Sequence, residues 1–578
     1  MLKPVTDKRW RLRTPKPEAA AEIAASGVDP LLAAILAARG CKSAVEAEPY
    51  IAPSLAMLED PFQLQGMEAA VQRILLARER GEKVCIHGDY DVDGVTATAL
   101  LVRFLRSIGV PVCWVIPRRL EDGYGLSTEG VEEALALGAQ VMVTVDCGIT
   151  SVVEASYCRA NNIDLIITDH HTPGETLPDA VGIINPLQDG CPSAFKALAG
   201  VGLALKLAMA LRSRLRSLGA FAEGEEPNLA GYLDLAALGT IADLVPLVGE
   251  NRIIASFGLN QLSRAAKPGI VALKKVSGVH CPVTAGDVGF KLAPRINAAG
   301  RLDDAKRGLE LLLTDDAETA AALAEELDAA NRERQQLEKE ILAEALRLIA
   351  ENPSMAGRKS IVLASDRWHP GVIGIVASRL VEIYALPVIL IAVYEGEARG
   401  SGRSTGSFHL YQALKACSIH LSGFGGHKQA AGLQIEVERI AAFADCFDAF
   451  AAENLQNDDM LPELAIDLQL QTDEINLELC ALKNSLQPFG MGNPEPVFML
   501  AGLQLLEQRV LDGGHLKLRL QSGNRTFDAI GFRMAEAAPQ AGMVDVAFNL
   551  DINVWQGRER LQLKLKGIKA TGGRFGAE

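Results

Sequence analysis

The sequence has few cysteines, and none of them are arranged in closely spaced pairs. Ten cysteines are scattered over 578 residues, with no C-x-x-C spacing. This pattern indicates neither a structural zinc site nor a disulfide framework. It is typical of proteins in a reducing compartment, so we expect a cytoplasmic location.

Long apolar runs are also missing. No stretch approaches the roughly 20 apolar residues that a membrane-spanning helix needs. The basic start "MLKPVTDKRWRLRTPKP" is not followed by the apolar core of a signal peptide. We therefore expect no membrane attachment.

Positive charge is in the minority, and aromatic residues are scarce. The chain has 57 Lys and Arg against 72 Asp and Glu, a net charge of −15. This balance argues against a protein that coats nucleic acid non-specifically. It does not exclude a nuclease, whose acidic metal site adds negative charge and whose basic groove can be local. Aromatic residues make up only 5% of the chain, which leaves few platforms for stacking bases.

The apolar pattern divides the chain into several regions, because 578 residues are too many for one core. From about residue 84 to residue 248, strand-like runs such as "KVCIHG", "VMVTVD" and "DLIITD" alternate with helical stretches. This alternation predicts an α/β domain with a doubly wound, mostly parallel sheet. Residues 315–351 contain no Gly or Pro and predict one long helix that connects two domains.

The remainder of the chain predicts a smaller α/β unit followed by a β-rich region. The α/β unit extends to about residue 454, and short strand-like runs separated by Gly and Asn turns begin after residue 461. Such runs predict a small β-barrel. From residue 509 onward we count 11 Lys or Arg against 7 Asp or Glu, so this region is locally basic.

The stretch "HGDYDVDG", residues 87–94, has the composition of a metal-binding loop. Its D-x-D-x-D-G pattern resembles the start of a calcium loop, but the twelfth position holds Leu100 rather than the bidentate Glu that such a loop requires. The flanking residues predict a strand before the motif and a helix after it, whereas calcium loops join two helices. The motif is therefore predicted to lie at the carboxyl edge of a parallel sheet, where open α/β folds place their sites.

Further acidic and histidine residues follow other apolar runs. Asp146 ends the run "VMVTVD", Asp169-His170-His171 ends "DLIITDHH", and Asp243 follows the apolar stretch "LGTIA". A single strand-end Asp is often only a helix cap. Several together at one sheet edge would gather negative charge that cations must neutralise. Carboxylates with a minority of imidazole suit Mn²⁺ or Mg²⁺.

These motifs, in their order along the chain, resemble the RecJ family of the DHH phosphoesterase superfamily. The matching stretches are "HGDYDVDGVTAT", "TVDCGIT", "IITDHH", "ALGTIADLVPL", "PRINAAGRLDDA", "WHPGVIGIVASRL", "GSGRS", "GFGGHKQAAG" and "PFGMGNPEPVF". The resemblance implies a single-stranded-DNA-specific 5′→3′ exonuclease that releases 5′-mononucleotides by two-metal catalysis in DNA recombination and repair.

The resemblance also implies the domain order. We expect an N-terminal helical or extended segment that packs on the DHH domain, then the DHH catalytic domain, a long connecting helix, a smaller DHH-associated α/β domain, and an OB-like barrel that binds single strands. The expected boundaries are residues 1–60, 61–313, 314–352, 353–457 and 458–578. By this division, a chain that ends near Asn454 should keep its chemistry on short strands.

The family resemblance implies a two-metal centre that needs no covalent nucleophile. Catalytic roles fall on Asp91, Asp93, Asp146, His170, His171 and Asp243. The implied metal ligands are His87, Asp89, Asp91, Asp93, Asp146, His170 and Asp243. Asp89 is either a ligand or an orienting group, and His171 is expected behind the ligands or on a phosphate.

Phosphate-binding residues are also implied by the resemblance. The expected substrate contacts are Arg118, Arg295, Asn297, Arg301, Ser401, Arg403, Gly425, Gly426 and His427, with Arg119, Ser404 and Lys428 beside them. The resemblance further implies a pocket for the 5′ phosphate. His369 is either a substrate contact or a packing residue at a helix start.

The barrel is expected to bind single strands through backbone charge and stacking. Its candidate phosphate contacts are Lys517, Arg519, Arg525, Lys564 and Lys566. Its candidate stacking platforms are Phe527, Phe532 and Trp555.

Two other functions stay open on the sequence. A superfamily member could act on short oligonucleotides, cyclic dinucleotides or pyrophosphate, but such enzymes are expected to lack a polymer-binding barrel. A catalytically inactive replication scaffold would be expected to have broken metal motifs, and here each matched position is intact. The expected partners are single-stranded DNA, a helicase and a single-stranded-DNA-binding protein, and the chain is expected to be a monomer.

Overall fold

The structure is a computed structural model. It describes all residues except 1, 3–4, 6–7, 119–124, 303, 395, 457–460, 540–541, 556–557 and 573–578, and only the backbone of 554–555 and 558. None of the helices in these described parts combines the length and apolarity needed to span a bilayer. The chain forms two compact units. The central unit contains residues 48–333 and 486–494, and the terminal unit contains residues 1–47, 334–485 and 495–578.

The strands are numbered in chain order. They are β1 Arg9–Leu12, β2 Val84–Gly88, β3 Val112–Val115, β4 Val141–Val145, β5 Asp164–Thr168, β6 Gly182–Ile184, β7 Ile361–Ser365, β8 Val388–Tyr394, β9 Glu397–Arg403, β10 Gly423–Gly426, β11 Ala430–Ile435, β12 Glu463–Ile466, β13 Leu468–Gln469, β14 Phe498–Leu511, β15 His515–Ser522, β16 Arg525–Gly531, β17 Met543–Trp555 and β18 Arg558–Ala570.

The α-helices are numbered in the same way. They are α1 Pro17–Ala25, α2 Pro30–Ala38, α3 Ala44–Ile51, α4 Met67–Arg80, α5 Val92–Ser107, α6 Thr128–Ala136, α7 Val152–Ala160, α8 Gly200–Ser217, α9 Leu233–Ala242, α10 Gly249–Arg264, α11 Pro268–Val276, α12 Ala285–Asp287, α13 Ala293–Leu302, α14 Lys306–Leu313, α15 Ala317–Glu351, α16 Ile373–Tyr384, α17 Leu410–Ala416, α18 Ile440–Asn454 and α19 Leu477–Ser485. A π-helical turn, Val288–Leu292, precedes α13.

The central unit contains the parallel sheet that the sequence predicts. Its order is β3-β2-β4-β5-β6, and each neighbouring pair is parallel. Alternate side chains enter two different cores, since Ile86 packs in the cluster that holds α4, α5 and α8, and Cys85 packs in the cluster that holds α6 and α7. Helices therefore cover both faces, which confirms the doubly wound α/β domain.

The long helix predicted from residues 315–351 is α15, which is 35 residues long. It contains no Gly or Pro, and its isoleucine, leucine and alanine residues recur at helical spacing. The division between the two units falls inside this helix, between residues 333 and 334. The helix is therefore the predicted connecting element.

The terminal unit contains a mixed sheet and a barrel. The mixed sheet has the order β10-β11-β9-β8-β7, and α17 and α18 contribute Leu414, Phe443 and Phe447 to the core that covers it. The second sheet closes on itself because β14 pairs with both β15 and β17, in the order β14-β15-β16-β18-β17. Closure removes the exposed edges of the sheet. The predicted C-terminal barrel is therefore confirmed.

Part of the N-terminal segment has its partners in the terminal unit, and the packing of residues 1–60 on the DHH domain stays a prediction. Strand β1 pairs in parallel with β12, and Trp10 is 2% exposed in a core cluster with Leu464 and Ile466. The Nε of Arg39 donates to Oδ1 of Asp467 at 2.9 Å, and this carboxylate is buried. Residues 1–47 thus belong to the terminal unit, because Trp10 and Arg39 find their partners there. The domain boundaries as a whole stay predictions.

Candidate metal centre and phosphate-binding surface

The acidic and histidine motifs meet at the carboxyl edge of the parallel sheet. Asp89 follows β2, Asp146 follows β4, and Asp169 follows β5 directly. Because adjacent parallel strands end at the same edge, residues far apart in sequence become neighbours there. Asp91 starts α5 as its N-cap, accepting hydrogen bonds from the backbone N–H groups of Asp93 at 2.8 Å and Gly94 at 3.1 Å.

Three overlapping groups of donor atoms form at this edge. In each group the atoms lie within 4.8 Å of one another: Asp89, Asp91 and Asp146; Asp93, His170 and Asp243; and Asp146, His170 and His171. The Nε2 atom of His170 lies 3.1 Å from Oδ1 of Asp146 and 3.6 Å from Oδ2 of Asp243. The structure thus brings together seven of the eight residues predicted to be catalytic or metal-binding.

His87 is the eighth residue, and it lies outside these three groups. Its Nδ1 atom is 3.8 Å from Sγ of Cys147. A Cβ on Gly130 would lie 2.7 Å from its Nε2 atom, so α6 approaches this ring closely. The metal-ligand role of His87 stays a prediction.

The start of helix α8 holds Asp93. Its two carboxylate oxygens accept hydrogen bonds from the backbone N–H groups of Gly200 at 2.6 Å and Val201 at 2.8 Å. A helix N-terminus favours a negative charge. A Cβ at position 200 would lie 2.6 Å from Cβ of Asp146, so glycine is required for this approach. The only sign of this contact in the sequence is "GVG" at the start of α8.

Asp169 orients a histidine instead of joining the donor groups. It accepts hydrogen bonds from the backbone N–H of Ile149 at 2.9 Å and from the backbone N–H of His171 at 3.0 Å. Its Oδ1 also lies 2.7 Å from Nδ1 of His171. Burial lowers the pKa of His171, but the hydrogen bond and charge of Asp169 outweigh it, and the pKa is raised. Asp169 therefore fixes the ring of His171.

The electrostatics of the site favour cations. Burial, followed by the charge of Asp91, raises the pKa of Asp93 to about 7. Burial, followed by the charges of Asp93 and Asp91, raises the pKa of Asp243 to about 9. Burial, followed by the charge of His171, lowers the pKa of His170 to about 4, so its imidazole is neutral near pH 7. Clustered carboxylates and a neutral imidazole fit divalent metal ions, which supply the positive charge that the carboxylates require.

Helix α13, which carries "PRINAAGR", contacts the metal-binding loop. The side-chain oxygen of Asn297 accepts a hydrogen bond from the backbone N–H of Val92 at 3.2 Å. A Cβ on Gly300 would lie 2.9 Å from the carbonyl oxygen of Tyr90. Arg295 points to a different partner, since its Nε donates to Oδ1 of Asp328 at 2.8 Å. The structure therefore places Asn297 at the metal loop and Arg295 in an ion pair with Asp328 of α15, and their substrate contacts stay predictions.

The other predicted arginines of the central unit lie at different positions. Arg118 is exposed and lines a cavity of about 270 Å³ that also borders Gly130 and Lys306. Arg301 lies in the last turn of α13 and is half-buried. Arg119 lies outside the described residues.

In the terminal unit, Ser401 and Arg403 lie side by side on β9. The guanidinium of Arg403 donates to Oγ of Ser401 at 3.2 Å and to the carbonyl oxygen of Gly402 at 2.7 Å. A Cβ on Gly374, in the first turn of α16, would lie 2.8 Å from Oγ of Ser401 and 3.0 Å from the Arg403 guanidinium. A hydroxyl, a guanidinium and a helix N-terminus thus converge, which is a favourable arrangement for an anion.

The glycines of "GFGG" lie on a strand next to this arrangement. Gly425 pairs with Gly432 of β11, and Gly432 pairs on its other side with Ser401. Space is open where a Cβ of Gly425 would lie. The backbone N–H of His427 donates to the carbonyl oxygen of Ala430 at 2.8 Å, which closes the β10–β11 turn. The predicted phosphate-binding glycines therefore lie on the β10–β11 strand pair and its turn. Gly425 and Gly432 carry no side chains on the strands beside Ser401.

His369 lies at the start of α16. Its Nδ1 accepts a hydrogen bond from the backbone N–H of Gly371 at 3.1 Å, and its carbonyl oxygen accepts from Val372 and Ile373. These contacts match the packing alternative for this residue.

On the barrel, the predicted contacts separate into surface and structural residues. Lys517 and Arg519 are exposed and alternate with buried Leu516, Leu518 and Leu520 along β15. Arg525 instead donates to the carbonyl oxygens of Thr472 at 2.5 Å and Ile475 at 2.6 Å. Its role in the structure is to hold the chain before α19.

The other residues predicted to contact DNA on the barrel also fall into exposed residues and residues with structural partners. Lys564 forms an ion pair with Asp551, whereas Lys566 is exposed. Phe527 is only 5% exposed and packs in the barrel, while Phe532 is 57% exposed. The side chain of Trp555 lies outside the described residues.

Three family models match this chain. The DHH family N-terminal domain matches residues 83–240, the DHHA1 domain matches residues 357–453, and the RecJ OB domain matches residues 466–567. The single-stranded-DNA-specific exonuclease RecJ of Salmonella typhimurium is 40% identical over 577 residues, which cover 96% of this chain and 99% of the relative. The chain belongs to the RecJ family.

Further RecJ proteins agree with this membership. The RecJ of Escherichia coli is 40% identical over 93% of this chain and 96% of its own length. A crystal structure of RecJ in complex with Mn²⁺ from Thermus thermophilus superposes with a TM-score of 0.84 at 34% identity, and the match covers 98% of this chain and 81% of that one. A second RecJ structure, bound to manganese, has a TM-score of 0.60 at 39% identity and covers 70% of this chain and 98% of that one. The RecJ resemblance read from the motifs is thereby confirmed.

Proposed function

We propose that this chain is a metal-dependent phosphodiesterase that degrades single-stranded DNA from the 5′ end and releases 5′-mononucleotides. Its RecJ relatives carry the name single-stranded-DNA-specific exonuclease. The single observation that carries the proposal is the set of three overlapping donor groups at the sheet edge, in which the group of Asp146, His170 and His171 shares one residue with each of the other two. Two donor groups linked in this way by a third fit a centre of two neighbouring ions.

The metal centre would hold two Mn²⁺ or Mg²⁺ ions. Asp89, Asp91 and Asp146 form one candidate ligand group, and Asp93, His170 and Asp243 form the other. When bound, such ions polarise the scissile phosphate and lower the pKa of a coordinated water. RecJ from Thermus thermophilus has been crystallised in complex with Mn²⁺ and with Mg²⁺.

Other residues of the chain hold the candidate ligands and the metal-binding loop in position. Gly200 and Val201 hold Asp93 through backbone N–H groups, and Asn297 holds the loop at Val92. Asp169 fixes His171, and His171 would contact a phosphate oxygen or orient a neighbouring ligand. Ligands held in this way need little rearrangement when substrate arrives.

Polarity would come from a site that binds the terminal phosphate. We assign this role to Arg403 and Ser401 with the N-terminus of α16, because a guanidinium and backbone amides suit a phosphate dianion. Gly425, Gly426 and His427 would form the adjoining wall. On the barrel, Lys517, Arg519 and Lys566 are exposed and would contact the strand's phosphates.

The setting of the activity is also proposed. The chain would act as a monomer in the cytoplasm, in DNA recombination and repair, with a helicase and a single-stranded-DNA-binding protein as partners. A helicase would supply the single strands that such an exonuclease consumes.

Strands labelled at the 5′ or the 3′ end test the proposal. With Mn²⁺ we expect the 5′ label to appear first as a mononucleotide, while the 3′-labelled strand shortens progressively. Chelation should stop both reactions, and a blunt duplex of the same sequence should persist. Release of the 3′ label first, or equal cleavage after chelation, would refute the proposal.

A further inference from the structure

The motif "PFGMGNPEP" has no part in the function proposed so far, yet it occupies an unexpected place. Residues 486–494 belong to the central unit, although residues before and after them belong to the terminal unit. In sequence they fall inside the match to the RecJ OB domain, residues 466–567. This stretch, which we call the 486–494 segment, therefore belongs by its contacts to the central unit, although its sequence lies within the match to the OB domain.

A buried arginine holds one end of the 486–494 segment. Arg252 of α10 is fully buried and donates to the carbonyl oxygens of Leu486 at 2.9 Å and Gln487 at 2.7 Å. The same guanidinium also donates to the carbonyl oxygens of Pro49 and Tyr50, both at 2.8 Å. A buried guanidinium is costly unless its donors are satisfied, so removing the segment would leave this charge without two of its main partners.

The 486–494 segment is also closed internally. The side-chain amide of Asn493, which is fully buried, donates to the carbonyl oxygens of Leu486 at 2.8 Å and Pro488 at 2.9 Å. The backbones of Gly490 and Asn493 exchange two further hydrogen bonds, at 2.9 and 3.2 Å. The segment is therefore a compact loop with a defined shape.

This loop packs on the residues that follow Asp243. The backbone N–H of Leu247 donates to the carbonyl oxygen of Met491 at 2.7 Å. A Cβ on Gly490 would lie 2.7 Å from the side chain of Leu247, and a Cβ on Gly492 would lie 2.9 Å from Cβ of Pro246. Leu247 is only 2% exposed, so this contact is tightly packed.

The backbone between Asp243 and this contact is strained. Leu244 has a φ of +60°, in the left-handed region that non-glycine residues avoid, although its side chain is 65% exposed. Such a conformation persists only where the surrounding structure enforces it. Asn251 assists by donating to the carbonyl oxygen of Pro246 at 3.1 Å. Asp243 is therefore followed directly by a turn, residues 244–247, that these contacts hold in place.

We propose that the 486–494 segment, locked by Arg252, is a positioning element for Asp243. By holding residues 244–247 in their strained turn, it sets where the Asp243 carboxylate meets His170 and Asp93. The proposal rests on the proposed metal centre and extends it, since it assigns part of that centre's geometry to a distant region of sequence. Small displacements of a ligand are enough to weaken a metal site.

Two variants of the full chain test this role without removing any ligand. Gly492→Ala places a methyl group against Pro246, and Asn493→Ala opens the loop by removing two hydrogen bonds. Gly219→Ala is the matched control, because Gly219 also has a positive φ (+66°, against +72° at Gly492) and has nothing within 4 Å of its Cβ position. Gly219→Ala therefore places alanine at a positive φ, as Gly492→Ala does, but brings its methyl group against no other residue.

Calorimetric titration with Mn²⁺ alone, without DNA, is the deciding measurement. We expect the wild type and Gly219→Ala to bind two ions, and Gly492→Ala and Asn493→Ala to lose about tenfold or more in affinity for one of them, as when the support of a metal ligand is removed. The Mn²⁺ concentration for half-maximal hydrolysis should rise in parallel, while the melting temperature of Gly492→Ala in chelator stays within the range of the control.

The outcomes separate the two proposals. If both variants bind Mn²⁺ as the control does, even with a lower melting temperature, the segment is only structural and the inference is overturned. If the wild type binds no Mn²⁺, the proposed metal centre itself fails. Should Gly492→Ala not fold, the Asn493→Ala titration decides alone, because that variant adds no atoms.

Discussion

The metal centre and the barrel surface use charge in opposite ways. At the centre, Asp93 and Asp146 are 1% and 2% exposed and have other carboxylates as neighbours. On the barrel, the Arg519 side chain is 50% exposed, and an acid, Glu507, lies nearby. Buried charges of like sign are costly and persist only where a function requires them, whereas exposed arginines are ordinary. The buried carboxylates therefore identify a metal site, whereas the exposed barrel arginines are only compatible with a DNA-binding site.

The two regions also differ in what surrounds the charged groups. Backbone N–H groups of Gly200 and Val201 are aimed at Asp93, so the helix and the carboxylate fix each other. On the barrel, Arg525 has its donors occupied by the carbonyl oxygens of Thr472 and Ile475. From the sequence alone, an arginine that is held by structural partners cannot be told from one whose donors are available to a substrate.

The first prediction tests the metal side of this comparison and has the largest expected effect. Asp243→Ala or Asp91→Ala should lower the rate of hydrolysis by at least ~10³-fold, because several kcal/mol of transition-state stabilisation depend on the metal ions. Single-strand binding in chelator should remain near the wild-type level. Rates on a labelled strand and filter-binding constants measure the two effects. Near-normal cleavage by either variant would remove that residue from the centre.

Much of the fold and of this centre was accessible from sequence, for a topological reason. A parallel sheet brings the ends of its strands to one edge, so apolar runs that end in Asp146 or Asp169 predict that these residues will be neighbours. Short strand-like runs between Gly and Asn turns predict the barrel, and a long run without Gly or Pro predicts helix α15. No side-chain geometry was needed for these conclusions.

The contacts that the sequence did not indicate depend on long-range packing. The N-terminal segment joins the terminal unit because Trp10 fits beside Gly567, whose missing Cβ leaves room for the indole. The 486–494 segment joins the central unit because Arg252 needs its carbonyl oxygens. The ion pair between Arg295 and Asp328 is of the same kind. Such pairings leave no periodic signal in sequence.

The second prediction concerns where the catalytic unit ends. From sequence, a chain ending near Asn454 should keep its chemistry on short strands. The structure argues otherwise, because this truncation removes the 486–494 segment and its contacts with Arg252 and Leu247. We expect it to lose most metal-dependent cleavage even of short strands, as measured by mononucleotide release.

A chain ending at Pro494 is the matched control for that truncation. It also lacks the barrel strands β14–β18, but it keeps the 486–494 segment, so it should retain more cleavage of short strands. Equal activity of the two truncated chains would show that the segment is dispensable for the chemistry.

The third prediction concerns the terminal phosphate. Losing a charge-assisted contact costs about 1.5–3 kcal/mol, or roughly ten- to a hundredfold. Arg403→Ala should therefore lower efficiency on 5′-phosphorylated strands by that factor and on 5′-hydroxyl strands far less. Excess substrate should partly restore the rate, and Mn²⁺ binding should be unchanged. An equal loss on both strands would exclude Arg403 as the end sensor and leave Arg118, Arg301 and His427 as candidates.

The fourth prediction is a pH dependence of metal binding. In the metal-free protein the pKa of Asp243 is raised to about 9 and that of Asp93 to about 7. Below these values the carboxyls hold protons that an incoming cation must displace, so affinity falls as pH falls. Between pH 8 and pH 7 we expect up to about tenfold weaker Mn²⁺ binding for each proton released. Calorimetry in two buffers of different ionisation enthalpy would detect those protons, and a pH-independent affinity would contradict the prediction.

The last prediction tests the barrel side and has the smallest expected effect. Lys517 and Arg519 share the outward face of β15, while Arg525 is held by backbone carbonyls. Lys517→Ala with Arg519→Ala should weaken binding to a long single strand by a few-fold near physiological salt. Each lost phosphate contact should reduce the dependence of log affinity on log salt by about one. Arg525→Ala should instead lower the melting temperature and leave the salt dependence as in the wild type. If Arg525→Ala alone changed the salt dependence, Arg525 rather than Lys517 and Arg519 would contact the phosphates of the strand, because structural bonds to Thr472 and Ile475 do not respond to released counterions.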